Sequence, residues 1–218
     1  MAELEIIGGA PSNYVWACRI ACVEKGVPYK LTPARPHSPE ADAIHPLGKI
    51  PGMRHGAVEL AESRAICGYI DRTFDGPRLI PEDAVAAAEM EQWLSIINTA
   101  IDPVWMRQYV GAYVFPGTAD GQPDRPRIEQ AVPVMQRQMA IMDKAVTDKD
   151  TIAAASFTLA DATLVPILFY MSKWPESAAL LSRHTQLAGY LERHLRRPSV
   201  QSTMPDRTPG TVAAVRAA

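Results

Sequence analysis

A small α/β domain followed by an all-helical domain is the fold class the sequence predicts, and three observations predict it. Apolar periodicity changes repeatedly within the first eighty residues, as short strands alternating with helices require. Strand signals then stop, and from Ala84 onward the chain is rich in helix formers. Between the two halves, Asp75 to Asp83 reads DGPRLIPED, a mixture of glycine, prolines and charges typical of a linker. The expected domains are therefore residues 1–77 and 84–218. A chain of 218 residues, at about 150 per domain, accommodates one large or two small domains, each able to bury a core.

The elements follow in order. Leu4, Ile6 and Ile7 run into Gly8-Gly9-Ala10-Pro11, a strand meeting a turn. From Ser12, apolar residues at Val15, Ile20 and Val23 and the stop Lys25-Gly26 predict a first helix. Val27 to Thr32 is a second strand. Pro33, Pro36 and Pro39 then force a loop that restarts as a short helix near Glu40. This is a parallel βαβ unit. Gly52 to Leu60 reads as an antiparallel hairpin turning at His55-Gly56. Ser63 is expected to cap a helix over residues 64–74, with Ile66, Ile70 and Phe74 on one face.

In the second half, Ala84 to about Tyr113 is helical. Ile128 to Thr147 repeats Val132, Met135, Met139 and Met142 at three- or four-residue spacing, a core stripe, and Trp93 also reads as core. Residues 116–127 form an exposed, mobile connection. Thr158 and Asp161 have the spacing of a reciprocal helix cap, and Pro166 kinks the following helix or sits where its missing donor is tolerated.

Composition excludes several function classes. Hydrophobic residues make up 47% and charged residues 21%, so the chain is not disordered. Twenty-two basic against 24 acidic residues give a net charge of -2 with no basic block, which argues against nucleic-acid binding. The longest strongly apolar stretch, Ala162 to Met171, is half of what a membrane span needs, and the N-terminus lacks a basic start followed by a long apolar run. Neither a membrane span nor a secretory signal is expected. Three cysteines do not make a disulfide framework and fit a reducing, cytoplasmic setting. Cys18 and Cys22 share a helix face beyond its activating first turn, and with Cys67 they read as small buried apolar residues. The five histidines have no metal-site spacing, so no metal is expected.

Three local features could carry chemistry. Ser12 stands where the first strand hands over to the first helix, placed either as a plain N-cap or as a hydroxyl donor to an anion at the positive end of that helix. Ile50-Pro51 is a candidate cis peptide that would turn the preceding backbone outward to pair with an extended peptide, or else an ordinary edge-strand proline. Glu62-Ser63 precedes a helix. It could grip an amino-acid head group, Glu62 taking the ammonium and Ser63 with the helix amides the carboxylate, or form only a cap with a well-placed acid.

Together and in this order, these features resemble the glutathione transferase superfamily. Gly9-Ala10-Pro11-Ser12 through Tyr29 is similar to its first strand, active-site turn and first helix. Ser38-Pro39-Glu40 through His45-Pro46-Leu47-Gly48-Lys49-Ile50-Pro51 is similar to its second helix and cis-proline loop, and Glu62-Ser63-Arg64-Ala65-Ile66 to its glutamyl-binding motif. Glu91-Gln92-Trp93-Leu94 and Phe157 to Asp161 extend the resemblance into the helical half, up to about Val200.

The resemblance implies a thioredoxin-like N-terminal domain, an all-α C-terminal domain, a homodimer, and transfer of the glutathione thiolate to a small hydrophobic electrophile. Ser12 would donate its hydroxyl hydrogen to that thiolate, as in the serine-type members similar to the theta, zeta, phi and related bacterial groups. Tyr14 lies too late in the turn for the tyrosine-type alternative. Ile50, at the cis bond to Pro51, would pair with the cysteinyl backbone, and Glu62 and Ser63 would hold the γ-glutamyl end. His37 and Lys49 align near the glycyl end, although histidine replaces the lysine often found at the first. Ile101, Trp105, Arg107, Tyr109 and Tyr113 are candidates for an electrophile pocket between the domains, with helix packing as the alternative for each. A glutathione-dependent isomerase, dehalogenase or peroxidase, or a binding or regulatory protein that kept the fold, are the competing readings. The turn Pro11-Ser12-Asn13-Tyr14 lacks the extra serine or cysteine expected of the isomerase.

Overall fold

The structure, a computed structural model, describes residues 3–205. Residues 206–218, the end of the expected helical domain, lie outside the described residues. The first half contains β1 (Leu4–Ile7), α1 (Asn13–Glu24), β2 (Tyr29–Thr32), α2 (Pro39–Asp42), β3 (Gly52–His55), β4 (Val58–Ala61) and α3 (Ser63–Thr73). The sheet order is β2-β1-β3-β4. β1 and β2 are parallel, in register from Leu4 with Tyr29 to Ile7 with Thr32. β3 is antiparallel to both β1 and β4, Gly52 pairing with Ile7 on one side and Ala61 on the other. This is the thioredoxin-like arrangement that the resemblance implies.

Two local expectations shift by one residue. The hairpin turns at Gly56-Ala57, not His55-Gly56, because Gly56 takes the positive φ (+61°) that the tight turn requires. Ser63 is the first residue of α3, and Glu62 occupies the cap position without a side-chain cap bond.

The helical half contains α4 (Ala84–Ile96), α5 (Gly111–Val114), α6 (Arg125–Ala145), α7 (Leu159–Met171), α8 (Pro175–Leu181), α9 (Thr185–Leu195) and α10 (Pro198–Thr203). Between α4 and α5 the chain continues as π-helical turns over Ile97–Ile101 and Pro103–Val110. Pro103 has no amide to donate into an α-helical ladder, and a wider register accommodates that loss. The Gln138 side chain donates to the Ala100 carbonyl at 2.8 Å within this stretch. α6 begins three residues before Ile128 because the Asp124 carboxylate accepts the Arg127 N–H and Pro126 suits the first turn. The connection therefore ends at residue 124.

α7 is buried along its whole length and packs on α1, so it joins the two halves. Its reciprocal cap forms as expected: the Thr158 N–H and hydroxyl both donate to Asp161 Oδ2 at 2.8 Å. Asp161 Oδ1 also accepts the Ile152 N–H and the Tyr190 hydroxyl. Trp16 of α1 meets Phe169 and Tyr170 edge-on and donates its indole N–H to Thr203 at 2.8 Å. The linker is fastened rather than free: the Leu79 N–H donates to Asp71, and Leu79 in turn accepts the Leu159 N–H. Lys25, at the helix stop, is buried and pairs with Asp71 at 3.4 Å. Cys18, Cys22 and Cys67 are free and buried.

Candidate active site

Three segments converge at Gly8. A Cβ there would lie 2.5 Å from Val15 Cγ2 and 3.2 Å from Ile50 Cβ, so only glycine lets the end of β1, the first turn of α1 and the loop before β3 meet. The meeting point brings Ile50 up to Val15, in the first turn of the helix that Ser12 caps.

Ser12 caps α1, its backbone extended and its hydroxyl oxygen accepting the Val15 N–H over a long 3.4 Å. The plain and the chemical reading of Ser12 are thus compatible. Accepting an amide uses an oxygen lone pair and leaves the hydroxyl hydrogen to donate to an anion. The turn before it is pinned from the other half, because the Tyr170 hydroxyl donates to the Pro11 carbonyl at 2.5 Å. Burial pushes the Tyr170 phenol up, so it stays protonated as that donor.

Beside Ser12, Asn13 is buried and donates its amide to Asp102 at 3.0 Å. The opposite Asp102 oxygen accepts from Arg107 at 2.9 Å, and Arg107 also reaches Asn13 Oδ1 at 3.4 Å. The guanidinium lies over the Tyr14 ring, 5.4 Å from its centroid. Burial, reinforced by the Asp102 charge, pushes the Tyr14 phenol up. Asp102 thus anchors the helical half to the residue following Ser12, while the Arg107 side chain stays 58% exposed.

The Ile50-Pro51 peptide is cis. Its loop is closed by the His37 N–H donating to the Gly48 carbonyl at 2.7 Å. Gly48 has φ +60°, and a Cβ there would strike both His37 and Asp42 at 2.4 Å. His37 and Lys49 flank this loop and are exposed, with His37 Nδ1 lying 3.8 Å from Asp42.

Past β4, Glu62 takes φ +69°, the left-handed region that a non-glycine residue rarely adopts. Its side chain is 70% exposed. The Glu62 side chain makes no cap bond to the start of α3, whose first residue is Ser63, so the first-turn amides get no side-chain partner from the cap position. Arg64 folds back along α3 to bond Glu91 of α4 through two nitrogens, over Gly68, where a Cβ would meet it at 2.6 Å.

The expected electrophile-pocket residues divide. Ile101, Trp105 and Tyr109 are buried. The Trp105 indole donates to Gln138 at 2.8 Å, and the Tyr109 hydroxyl donates to Glu176 at 2.9 Å. Tyr113 stacks on Trp174 at 4.4 Å and donates to the same Glu176 oxygen. Arg107 alone of the five is bonded to the Ser12 end of α1. Asp102 and Asn13 were not legible in the sequence, since 89 residues separate the pair. Among the described residues, no group of three or more His, Cys, Asp or Glu side chains could hold a metal, and no helix is long and apolar enough to cross a membrane.

A family profile described as "Glutathione S-transferase, N-terminal domain" matches residues 8–78, and one described as "Glutathione S-transferase, C-terminal domain" matches residues 125–193. The chain is similar to glutathione S-transferase 3 of Zea mays, at 28% identity over 94% of each chain. It is 24% identical to glutathione S-transferase 1 of Zea mays, covering 92% of this chain and 95% of the relative. Among solved structures, glutathione S-transferase III in its apo form superposes with a TM-score of 0.81 at 27% identity, covering 93% of this chain and 95% of that one. The chain belongs to the glutathione S-transferase superfamily.

Proposed function

We propose that this protein is a transferase that joins the glutathione thiolate to small hydrophobic electrophiles, with Ser12 activating the thiol. The carrying observation is the placement of Ser12: its oxygen accepts the Val15 amide, its hydrogen is left to donate, and its neighbours converge on the cis Ile50-Pro51 loop at Gly8. In this reading the Ile50 backbone pairs with the cysteinyl unit as an added strand. Glu62 takes the γ-glutamyl ammonium, and Ser63 with the first amides of α3 takes the adjacent carboxylate. His37 and Lys49, exposed on either side of the loop, attract the glycyl carboxylate.

The chemistry needs no resident cofactor. Ser12 O–H and the N-terminal end of α1 stabilise the thiolate, so its proton leaves to solvent at a lower pH. The thiolate sulfur then forms a bond to the electrophilic carbon, and the leaving group departs with the electron pair of the bond that breaks. Arg107, held by Asp102 and Asn13, is placed to balance negative charge developing on the electrophile. Detoxification in the cytoplasm is the role this reading suggests, and a homodimer is its assembly. The apolar side chains of Leu47, 61% exposed beside the cis loop, and Val85, 68% exposed at the start of α4, are surface that such an interface would cover.

Calorimetric titration with glutathione, paired with conjugation of a chloro-dinitrobenzene type electrophile, tests the proposal. Binding with turnover is the expected result; absence of glutathione binding would overturn it.

A further inference from the structure

His45 is a buried imidazole that the transferase reading leaves without a role. It follows α2 on the loop leading to Ile50-Pro51 and is 3% exposed. The Leu47 N–H donates to its Nδ1 at 3.0 Å. That bond fixes the tautomer: Nδ1 is the acceptor, so the ring hydrogen sits on Nε2. Nε2 faces Glu62 Oε1 at 3.2 Å. The imidazole therefore bridges a backbone amide of the cis-proline loop to one oxygen of a carboxylate in the left-handed turn before α3.

We propose that His45 is a positioning residue that holds the Glu62 carboxylate in the orientation that receives the ammonium group of a γ-glutamyl ligand. The inference rests on the glutathione reading of Glu62. Glu62 is otherwise a long, largely exposed side chain with several accessible rotamers. One N–H donated from a buried, tautomerically fixed ring holds Oε1 and leaves Oε2 to the ligand. The same ring ties the loop that presents Ile50 to the turn that presents Glu62, so the contacts to the cysteinyl and γ-glutamyl units are held in register by one side chain. His45 touches Glu62 rather than the reacting sulfur. Its effect therefore falls on the recognition of one ligand group and not on the chemical step.

The test pairs His45→Asn with Glu62→Gln and compares glutathione with its analogue lacking the α-amino group. Asparagine keeps an oxygen that accepts the Leu47 N–H as a local Asx turn but does not reach Glu62. The loop thus keeps its shape while the bridge is lost, and thermal unfolding of the variant checks that it folds. His45→Asn is expected to weaken glutathione binding about tenfold, raising KM rather than lowering kcat, while binding of the deaminated analogue stays at the wild-type value. Equal weakening of both ligands would show a merely structural role and overturn the inference. So would unchanged binding of both, provided Glu62→Gln still abolishes discrimination between them. If wild-type protein and Glu62→Gln fail alike to distinguish the two ligands, the assignment of Glu62 itself falls and the inference with it.

Discussion

At the scale of single residues, what each polar atom has left to give decides its role. Ser12 caps α1 with its oxygen and keeps a hydrogen to donate. A hydrogen bond to a charged group contributes about 1.5–3 kcal/mol, and each pKa unit of a thiol corresponds to about 1.4 kcal/mol, so Ser12→Ala should cut turnover at neutral pH by roughly tenfold to a hundredfold. Glutathione affinity should change only a few-fold, whereas Glu62→Ala and Ser63→Ala should raise the dissociation constant. Steady-state kinetics with varied glutathione separates the two kinds of effect. The Ser12 cap and the cis Ile50-Pro51 bond were legible because each is a local signature, a cap or a proline at the head of an element. Asp102 and His45 were not, since their roles exist only through partners 89 and 17 residues away, Asn13 and Glu62.

At the scale of elements, the start of α7 was read well, while the starts of α3 and α6 moved by one and three residues and the π-helical stretch was missed. The reciprocal cap of α7 was legible from Thr158 and Asp161 alone. The structure adds that the same carboxylate serves Ile152 and Tyr190. Asp161→Ala would leave several buried donors unpaired at about 1–3 kcal/mol each, so denaturant unfolding should show a loss on the order of 3 kcal/mol or more. The π-helical stretch around Pro103 was illegible because its runs, Ile97–Ile101 and Pro103–Val110, are too short for apolar spacing to fix a period. α8 is tied to the stretch before α5 and to α6 through Glu176, which accepts from Tyr109, Tyr113 and Arg125. Partial burial would raise that carboxyl, but these donors outweigh it and hold the group at about 2 instead of 4.5. A group depressed in the folded state contributes stability above its unfolded pKa and loses it as pH falls toward the folded one. The stability difference between wild type and Glu176→Gln should therefore be full above about pH 4.5 and shrink progressively toward pH 2. Urea unfolding at several pH values checks this, and a difference that grows on acidification would contradict it.

At the scale of the molecule, the turn that carries Ser12 is built by both halves. Tyr170 holds Pro11, Asp102 holds Asn13, and Thr203 holds Trp16, so residues on either side of Ser12 are fixed by the helical half. The two-part architecture was legible in the change of periodicity and the linker composition, but this seam was not, because composition says nothing of which faces meet. The linker itself depends on the buried Lys25–Asp71 pair, whose side chains are 1% and 0% exposed. Asp71→Ala would strand a buried ammonium and free the Leu79 amide, and should cost about 3–5 kcal/mol in equilibrium unfolding. A double replacement of both partners by apolar residues should recover much of that loss.

The central claim is that Ser12 stabilises a bound thiolate, and titration of the thiol of bound glutathione by its ultraviolet thiolate absorbance, in wild type and Ser12→Ala, tests it most directly. The expected pKa in the wild-type complex is about one to two units below the value near 8.5 of a free thiol, returning toward that value in the variant. The same depressed pKa in both proteins would contradict the account.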